Sequence, residues 1–431
     1  MNMKMSIVAL AAMSALSAAA TPTVTTVTFD QEISTRRVTI TYQIDEPAVV
    51  TVDVQTNRGD GVFVSIGAEN LRELTGQVNR LVTQTGVDQV VNWHPDLYWN
   101  QGHKIVGANV KAVVTAWATN APPDWLVLNL SSNPVEARYY VSTNAIPFNI
   151  TDTVAKTEKL VMRRIHAADV EWRMGSPATE PYRNSSEYPR TVYLTQDYYI
   201  GIYAFTLGQY KNIWQTQTPL AGASSGSDSY PLNGQNSCYN KIRGTSDNVD
   251  WPNTVPAHKV AAGSYLDTIR NRVGFEMDLP TEAQWEFACR AGTTTGFNNG
   301  QECDASGGSA VSPVLDELGW YPANADGGVH EVGLKKPNAW LLYDCHGNTL
   351  EWCLDWCDET VDISAYGGAD PVGLTGVASP VDGTSGRVLK GGGYVSYGPN
   401  NCRSAFREAV RPSIAYGNYG FRLVCPPIAV R

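Results

Sequence analysis

Two stretches decide the fold: Leu279-Pro-Thr-Glu-Ala-Gln-Trp-Glu-Phe-Ala-Cys-Arg-Ala-Gly292 and Pro337-Asn-Ala-Trp-Leu-Leu-Tyr-Asp-Cys-His-Gly-Asn-Thr-Leu-Glu-Trp352. In the first, Thr281 and Gln284 have capping-box spacing, Trp285, Ala288 and Cys289 share one face, and Gly292 stands where a helix should stop. The spacing predicts a helix from Thr281 to Ala291. A second helix is expected from Ser264 to Val273, opened by Ser264-Tyr-Leu-Asp267, striped by Leu266, Ile269 and Val273, and closed by Gly274. The second stretch has no helical period. Asp344 and Glu351 bring hard anionic oxygens to either side of a turn at Gly347 and Thr349 that can aim carbonyls inward.

The surroundings of these blocks are short of periodic structure. From about residue 156 onward the chain has short strand-like runs, many aromatics and long glycine-rich loops, in keeping with 38 Gly, 21 Tyr and 12 Trp overall. Residues 21–130 read differently. Arg37-Val-Thr-Ile-Thr-Tyr-Gln, Val49-Val-Thr-Val-Asp-Val and Val110-Lys-Ala-Val-Val-Thr-Ala-Trp alternate apolar and polar with period two, separated by turn signals such as Asn57-Arg-Gly-Asp-Gly. This predicts an antiparallel β-sandwich, similar to the immunoglobulin-like domains that precede binding or catalytic modules in exported bacterial proteins. Residues 131–155, rich in Ser, Asn, Thr and Pro, read as a linker, and 156–431 as the second domain.

Composition narrows the setting. The chain has 431 residues, 43% hydrophobic and 17% charged, with a net charge of −10. Cores can be built, and a nucleic-acid backbone would be repelled. Residues 1–20 place Lys4 before an apolar run from Ile7 to Leu16 and then Ala18-Ala19-Ala20, the pattern of a signal peptide. The run is too short to cross a bilayer, which takes about 20 residues. A secreted, periplasmic or cell-surface protein is expected. All eight cysteines lie after residue 230, and an even count in an exported chain predicts disulfides without fixing their pairing. Cys353-Leu-Asp-Trp-Cys357 lacks a second Cys/His pair at zinc spacing.

The two opening stretches fall in order with Trp172-Arg-Met-Gly-Ser176, Leu194-Thr-Gln-Asp-Tyr-Tyr-Ile-Gly-Ile-Tyr203, Arg387-Val-Leu-Lys-Gly-Gly-Gly393, Cys402-Arg-Ser-Ala-Phe-Arg407 and Gly420-Phe-Arg422. Over roughly residues 156–427 this resembles the sulfatase-modifying factor family, founded on the formylglycine-generating enzyme. The resemblance implies an α+β, C-type-lectin-like domain behind the all-β immunoglobulin-like sandwich. It also implies a structural Ca²⁺ held by Asp344, Gly347, Thr349 and Glu351. The family's second calcium site does not carry over, because the loop Trp320-Tyr-Pro-Ala-Asn-Ala-Asp-Gly-Gly is shorter and differently composed. Arg403, Arg407 and Arg422 are expected to bind loop carbonyls or buried carboxylates, and Glu282 and Glu286 to cap or form ion pairs.

The family's oxidase chemistry uses two thiolates on Cu(I), five positions apart after a GGSY segment. Here the segment is Gly391-Gly-Gly-Tyr394. Counting forward, the family cysteine positions hold Ser396 and Asn401; counting back from Arg403-Ser-Ala-Phe-Arg407 puts the second at Pro399. Cys402 is the one thiol near, so copper is not expected. The family's non-haem iron branch needs an HxxxHxE triad, which His94, His103, His166, His258, His330 and His346 do not form. The reading is a non-oxidase binding or accessory module for a protein, peptide or glycan ligand, with loops Thr216 to Asn253 and Thr293 to Ser312 as its recognition surface. The alternative is a formylglycine-generating or other metal-dependent oxidase. Lectin-like sugar binding through calcium is disfavoured, since protein oxygens would enclose the ion.

Overall fold

The structure is a computed structural model that describes residues 21–57, 59–99, 105, 109–216, 227–244, 260–308, 310–374, 385–395 and 398–427. The expected leader, residues 1–20, lies outside them. No helix among the described residues is long and apolar enough to cross a membrane.

The N-terminal unit contains β1 (Val24–Gln31), β2 (Val38–Ile44), β3 (Ala48–Asn57), β4 (Phe63–Ser65), β5 (Thr75–Gly76), β6 (Arg80–Val82), β7 (Gln89–Trp93) and β8 (Val110–Trp117). One sheet runs β1-β2-β7-β5; in the other, β3 is flanked by β4 and β6 and also pairs with β8. The period-two pattern has its expected cause: Val38, Ile40, Tyr42 and Ile44 of β2 all point into the core, and the residues between them lie nearer solvent. Val50 and Val54 from the opposite sheet meet them there, with Trp93. This all-β unit fits an immunoglobulin-like domain.

The second unit begins earlier than its polar sequence suggested. Strand β9 (Trp125–Asn129) pairs with β10 (Glu136–Tyr140) on one side and β11 (Lys159–Ile165) on the other, with Leu128 opposite Leu160. The stretch 131–155 is therefore no free linker: it carries β10 and the short helix α1 (Thr153–Thr157). Its serines and asparagines make turns, as where Ser132 binds the Asn129 carbonyl, while Tyr139, Tyr140, Ile146 and Ile150 are buried. Tyr139 N–H also donates to the Asn79 carbonyl at 2.6 Å and Val49 joins the larger core of the second unit, tying the two units together.

Beyond β11 come β12 (Glu171–Met174), β13 (Arg190–Tyr193), β14 (Tyr198–Gly201), α2 (Leu207–Trp214), α3 (Tyr239–Arg243), α4 (Tyr265–Val273), α5 (Glu282–Arg290) and α6 (Pro313–Asp316). They are followed by β15 (Leu350–Asp358), β16 (Gly368–Ala369), β17 (Ser385–Lys390), β18 (Glu408–Val410), β19 (Tyr419–Gly420) and β20 (Val424–Cys425). A five-stranded sheet has the order β10-β9-β11-β14-β20, and a second sheet β18-β17-β15-β19 packs its glycine-rich end against α5. A small sheet, β12-β13-β16, completes the α+β domain.

The helix signals act as expected at α5: Thr281 accepts from Gln284 N–H, and the Gln284 side chain returns to Thr281 N–H. At α4, Ser264 caps Asp267 N–H, but the Asp267 carboxylate reaches Gly263 N–H at 2.8 Å rather than the cap residue. Helix α5 differs from the single-face reading. Glu282, Glu286 and Arg290 are buried along with Trp285 and Cys289, because strands β12, β15 and β17 surround it.

Candidate functional site

The site grows from the end of β17, where Lys390 leads into the turn Gly391-Gly392-Gly393. Gly391 and Gly392 have φ of 92° and 71°. Their missing side chains matter as much as their conformations: a Cβ would lie 3.1 Å from the Trp285 ring at Gly391 and 2.5 Å from Cys402 Sγ at Gly392. The turn is thus pressed onto α5 below and onto Cys402 beside it.

Beneath the turn is a layer of ion pairs. Glu351 Oε1 lies 2.8 Å from Arg422 Nη2, and Glu351 Oε2 accepts from Arg422 Nε at 3.0 Å and Trp285 Nε1 at 2.7 Å. Glu286 meets Lys390 at 3.0 Å and Arg290 at 2.9 Å. Burial opposes the Glu286 charge, yet Lys390 and Arg290 hold its carboxyl down at about 2. Glu282 meets Arg407 at 2.8 Å, and Arg403 lies 2.5 Å from Glu180 and 2.6 Å from Glu187. The three arginines and two glutamates are therefore structural, as their sequence context predicted.

A cluster of softer groups fills the space between α5 and the turn before β15. Cys289 Sγ lies 3.7 Å from Ser404 Oγ, 3.8 Å from His346 Nε2 and 3.9 Å from the Cys345 carbonyl oxygen. His346 Nδ1 is 2.7 Å from the Cys402 carbonyl, and Nε2 accepts from Asn298 N–H at 3.1 Å. Those partners assign the neutral tautomer protonated at Nδ1. Phe297 stands edge-on to the imidazole, with centroids 5.3 Å apart. The neighbouring Cys289, together with burial, pushes the Cys345 thiol up. All eight cysteines are free, buried thiols rather than the expected disulfides.

The residues expected to hold calcium surround the same turn but do not form a cation cage. Gly347 accepts from Thr349 N–H at 2.9 Å, so the tight turn is present. Asp344 Oδ2 accepts from Gly333 N–H at 2.7 Å, while Oδ1 is enclosed without a partner. Burial raises the Asp344 carboxyl to about 6. Glu351 has both oxygens engaged by Arg422 and Trp285, and a divalent cation there would face the guanidinium. Among the described residues, no group of three His, Cys, Asp or Glu side chains is placed to hold a metal ion. The arrangement does not fit Ca²⁺ as the sequence suggested.

Of the family cysteine positions, Ser396 lies outside the described residues. Pro399 and Asn401 sit in a single short 3₁₀ turn, Pro399–Cys402, and bring no sulfur. Cys402 is fully buried beside Cys303; burial pushes the Cys402 thiol up, and likewise Cys303 to about 11. The loop Thr293 to Ser312 is not a free surface either: Phe297 and Cys303 are core residues, and the Gly296 carbonyl accepts from Ser404 N–H at 2.8 Å. The other proposed loop is described only at 216 and 227–244.

Sequence reasoning missed Asn348. At φ 66° it turns the chain, its side chain brackets His330 (N–H to Oδ1 2.9 Å, Nδ2 to O 3.1 Å), and its carbonyl receives Tyr394 N–H at 3.2 Å. The available signal was Asn directly after Gly in a turn, since asparagine tolerates the left-handed region. Outside the glycine turn, Val395 and Tyr416 are 55% and 60% exposed, and Tyr394 Oη packs against Gly417.

A family model described as the sulfatase-modifying factor enzyme 1-like domain matches residues 155–426. The chain belongs to that family. It is 31% identical over 180 residues to the formylglycine-generating enzyme of Thermomonospora curvata, covering 40% of this chain and 57% of that one. It is 30% identical over 182 residues to the enzyme of Mycobacterium tuberculosis, covering 40% and 58%. It is also 35% identical over 146 residues to the serine/threonine-protein kinase pkn1 of Chlamydia caviae, covering 33% and 20%. The chain thus spans little more than half the length of these enzymes and a fifth of the kinase. Among solved structures, Treponema denticola variable protein 1 aligns with a TM-score of 0.44 at 26% identity, covering 62% of this chain and 96% of that one. PvdO from Pseudomonas aeruginosa aligns with a TM-score of 0.44 at 19% identity, covering 62% and 94%.

Proposed function

We propose that this sulfatase-modifying-factor-family chain is an exported binding or accessory module that does not carry out the oxidase reaction named for its relatives. The observation that carries the reading is Cys402. It is the sulfur packed against the glycine-rich turn itself, it is fully enclosed, and burial pushes its thiol up. A thiolate that must meet both metal and substrate needs access and a depressed pKa, and Cys402 has neither. The outer side of the same turn presents Val395 and Tyr416 to solvent. Such a surface suits apolar and stacking contacts with a protein, peptide or glycan. Export rests on the character of residues 1–20.

The oxidase reading has two observations in its favour: Cys289 lies against Cys345 below Gly391, and its hydrogen bonds and His346 hold its thiol down against the burial that would raise it. Both cysteines are buried, which leaves a substrate cysteine no route to them. Oxygen uptake by the copper-treated protein with a Cys-x-Pro-x-Arg peptide separates the two readings. The expected result is no uptake above the peptide-and-copper blank; copper-dependent uptake with loss of the peptide thiol would overturn the binding-module reading. On peptide and glycan arrays, the wild type should retain ligands that Tyr416→Ala loses.

A further inference from the structure

Two arginines converge on one carboxylate oxygen. Glu282 Oε2 lies 2.8 Å from Arg407 Nη2 and 3.5 Å from Arg190 Nη2. Glu282 Oε1 is 3.8 Å from Lys390 Nζ, and Lys390 in turn shares Glu286 with Arg290. Arg190, Arg290, Lys390 and Arg407 are thus paired with only Glu282 and Glu286, and all six side chains are buried. Cations taken out of water need counter-charge close by, since the interior screens them poorly.

Asp355 does not supply it across the neutral range. Its Oδ2 accepts Glu282 N–H at 2.6 Å, and among the described residues it forms no ion pair with either arginine. Burial beside Glu282 raises its carboxyl to about 7, so it is a counter-charge only above that pH. Burial, with the charge of Arg407 added to it, also pulls Arg190 below the ordinary arginine range.

The unmet charge has a definite place. Arg190 Nε and Arg407 Nε are both enclosed without a hydrogen-bond partner, and the two residues are 6% and 3% exposed. Both line one small cavity with Asp355, Met174, Ala283 and Tyr366. It lies where the sheet β12-β13-β16 meets α5 and β15, and Tyr366 is exposed, which puts the cavity just under the surface. About 10 Å³ is free inside it, the space of a single water-sized guest. Phosphate, sulfate and organic acids are too large. A water molecule would accept the Nε–H groups but leave the charge as it is.

We propose that this cavity is a halide site, in which a chloride ion accepts from the Nε–H groups of Arg190 and Arg407 and supplies the charge that Glu282 leaves unmet. Hydrogen bonds between ionised partners are the strong kind, and here they would join β13 to the segment that enters β18. The ion fastens the small sheet β12-β13-β16 to the rest of the domain, far along the chain from the glycine-rich turn.

The test uses the full chain exchanged into sodium gluconate, whose anion cannot enter the cavity, and replaces gluconate by chloride or bromide at constant ionic strength. The Tm should rise by a few degrees with either halide and level off as one site fills. Arg190→Gln, which removes one donor and one cation, should lose that response. A Tm indifferent to both halides, or an equal saturating rise in folded Arg190→Gln, would overturn the assignment. Crystals of the wild type grown in bromide should show an anomalous peak between Arg190 and Arg407, a readout that does not depend on the variant folding. Water density there without such a peak would sink the proposal. A bromide peak without a saturating rise in Tm would mark an adventitious ion only, and would sink it equally.

Discussion

Arg422 closes a two-pronged pair on Glu351: Nη2 meets Oε1 at 2.8 Å while Nε meets Oε2 at 3.0 Å, with both residues about 1% exposed. The same guanidinium also donates to the carbonyls of Gly201 and Tyr343, so a single side chain joins β14, the turn before β15, and β15 itself. A lysine has neither the fork nor the reach to replace all four contacts. Arg422→Lys should lower stability by roughly 3–5 kcal/mol, the range for breaking one side of a buried pair. Thermal unfolding measures it; a loss within about 0.5 kcal/mol, the scale of a surface substitution, would show that the pair is dispensable.

That pairing also governs the response to chelators. A Ca²⁺ ligated by Glu351 would have to share the carboxylate with Arg422 and Trp285 Nε1 and face the guanidinium charge. Exhaustive treatment with EDTA should therefore leave the Tm unchanged, and Glu351→Gln should destabilise equally with and without added Ca²⁺. A Tm that falls on chelation and recovers with Ca²⁺ would restore the ion.

Asp355 gives the molecule a pH dependence of opposite sign to that of its ion-paired neighbours. It is fully enclosed, accepts Glu282 N–H at 2.6 Å, and burial beside Glu282 raises its carboxyl to about 7. The folded state holds the proton more tightly than the unfolded chain, so this group lowers stability as pH rises from about 4 to 7. Glu286 works the other way: held at about 2, it contributes stability that is lost only in strong acid, below its unfolded value. Asp355→Asn keeps an acceptor for Glu282 N–H and removes the charge. It should flatten the stability profile above pH 5 and raise stability at pH 8 by roughly 2–4 kcal/mol. Denaturant melts at several pH values test this, and an unchanged slope would remove Asp355 as its source.

What the sequence could express depended on whether a residue's partner lay close in the chain. Thr281 and Gln284 are three positions apart, and their mutual cap was readable because helix geometry sets their distance. Val38, Ile40, Tyr42 and Ile44 announced their strand for the same reason. Tyr139 and Tyr140 are buried by strands outside their own segment, so 131–155 read as a polar linker. Arg403 was legible as a residue needing carboxylates, but its partners Glu180 and Glu187 are more than two hundred positions away, and no local pattern names them. Glu351 is subject to the same distance: in the sequence it looks free, and Arg422 arrives from the far end of the domain.

The loop from Thr293 to Ser312 looks removable by composition, yet Phe297 within it is fully buried against His346, Cys303 and Leu315. Its Gly296 carbonyl receives Ser404 N–H, so the loop also holds the turn between Cys402 and β18. Phe297→Ala should cost about 3–5 kcal/mol, the range for emptying a packed aromatic site. Exposed positions such as Asn299 should tolerate change within about 0.5 kcal/mol. A loop excision that left the Tm intact would mean that Phe297 is replaceable and that 293–312 is the free recognition surface its glycines and asparagines suggest.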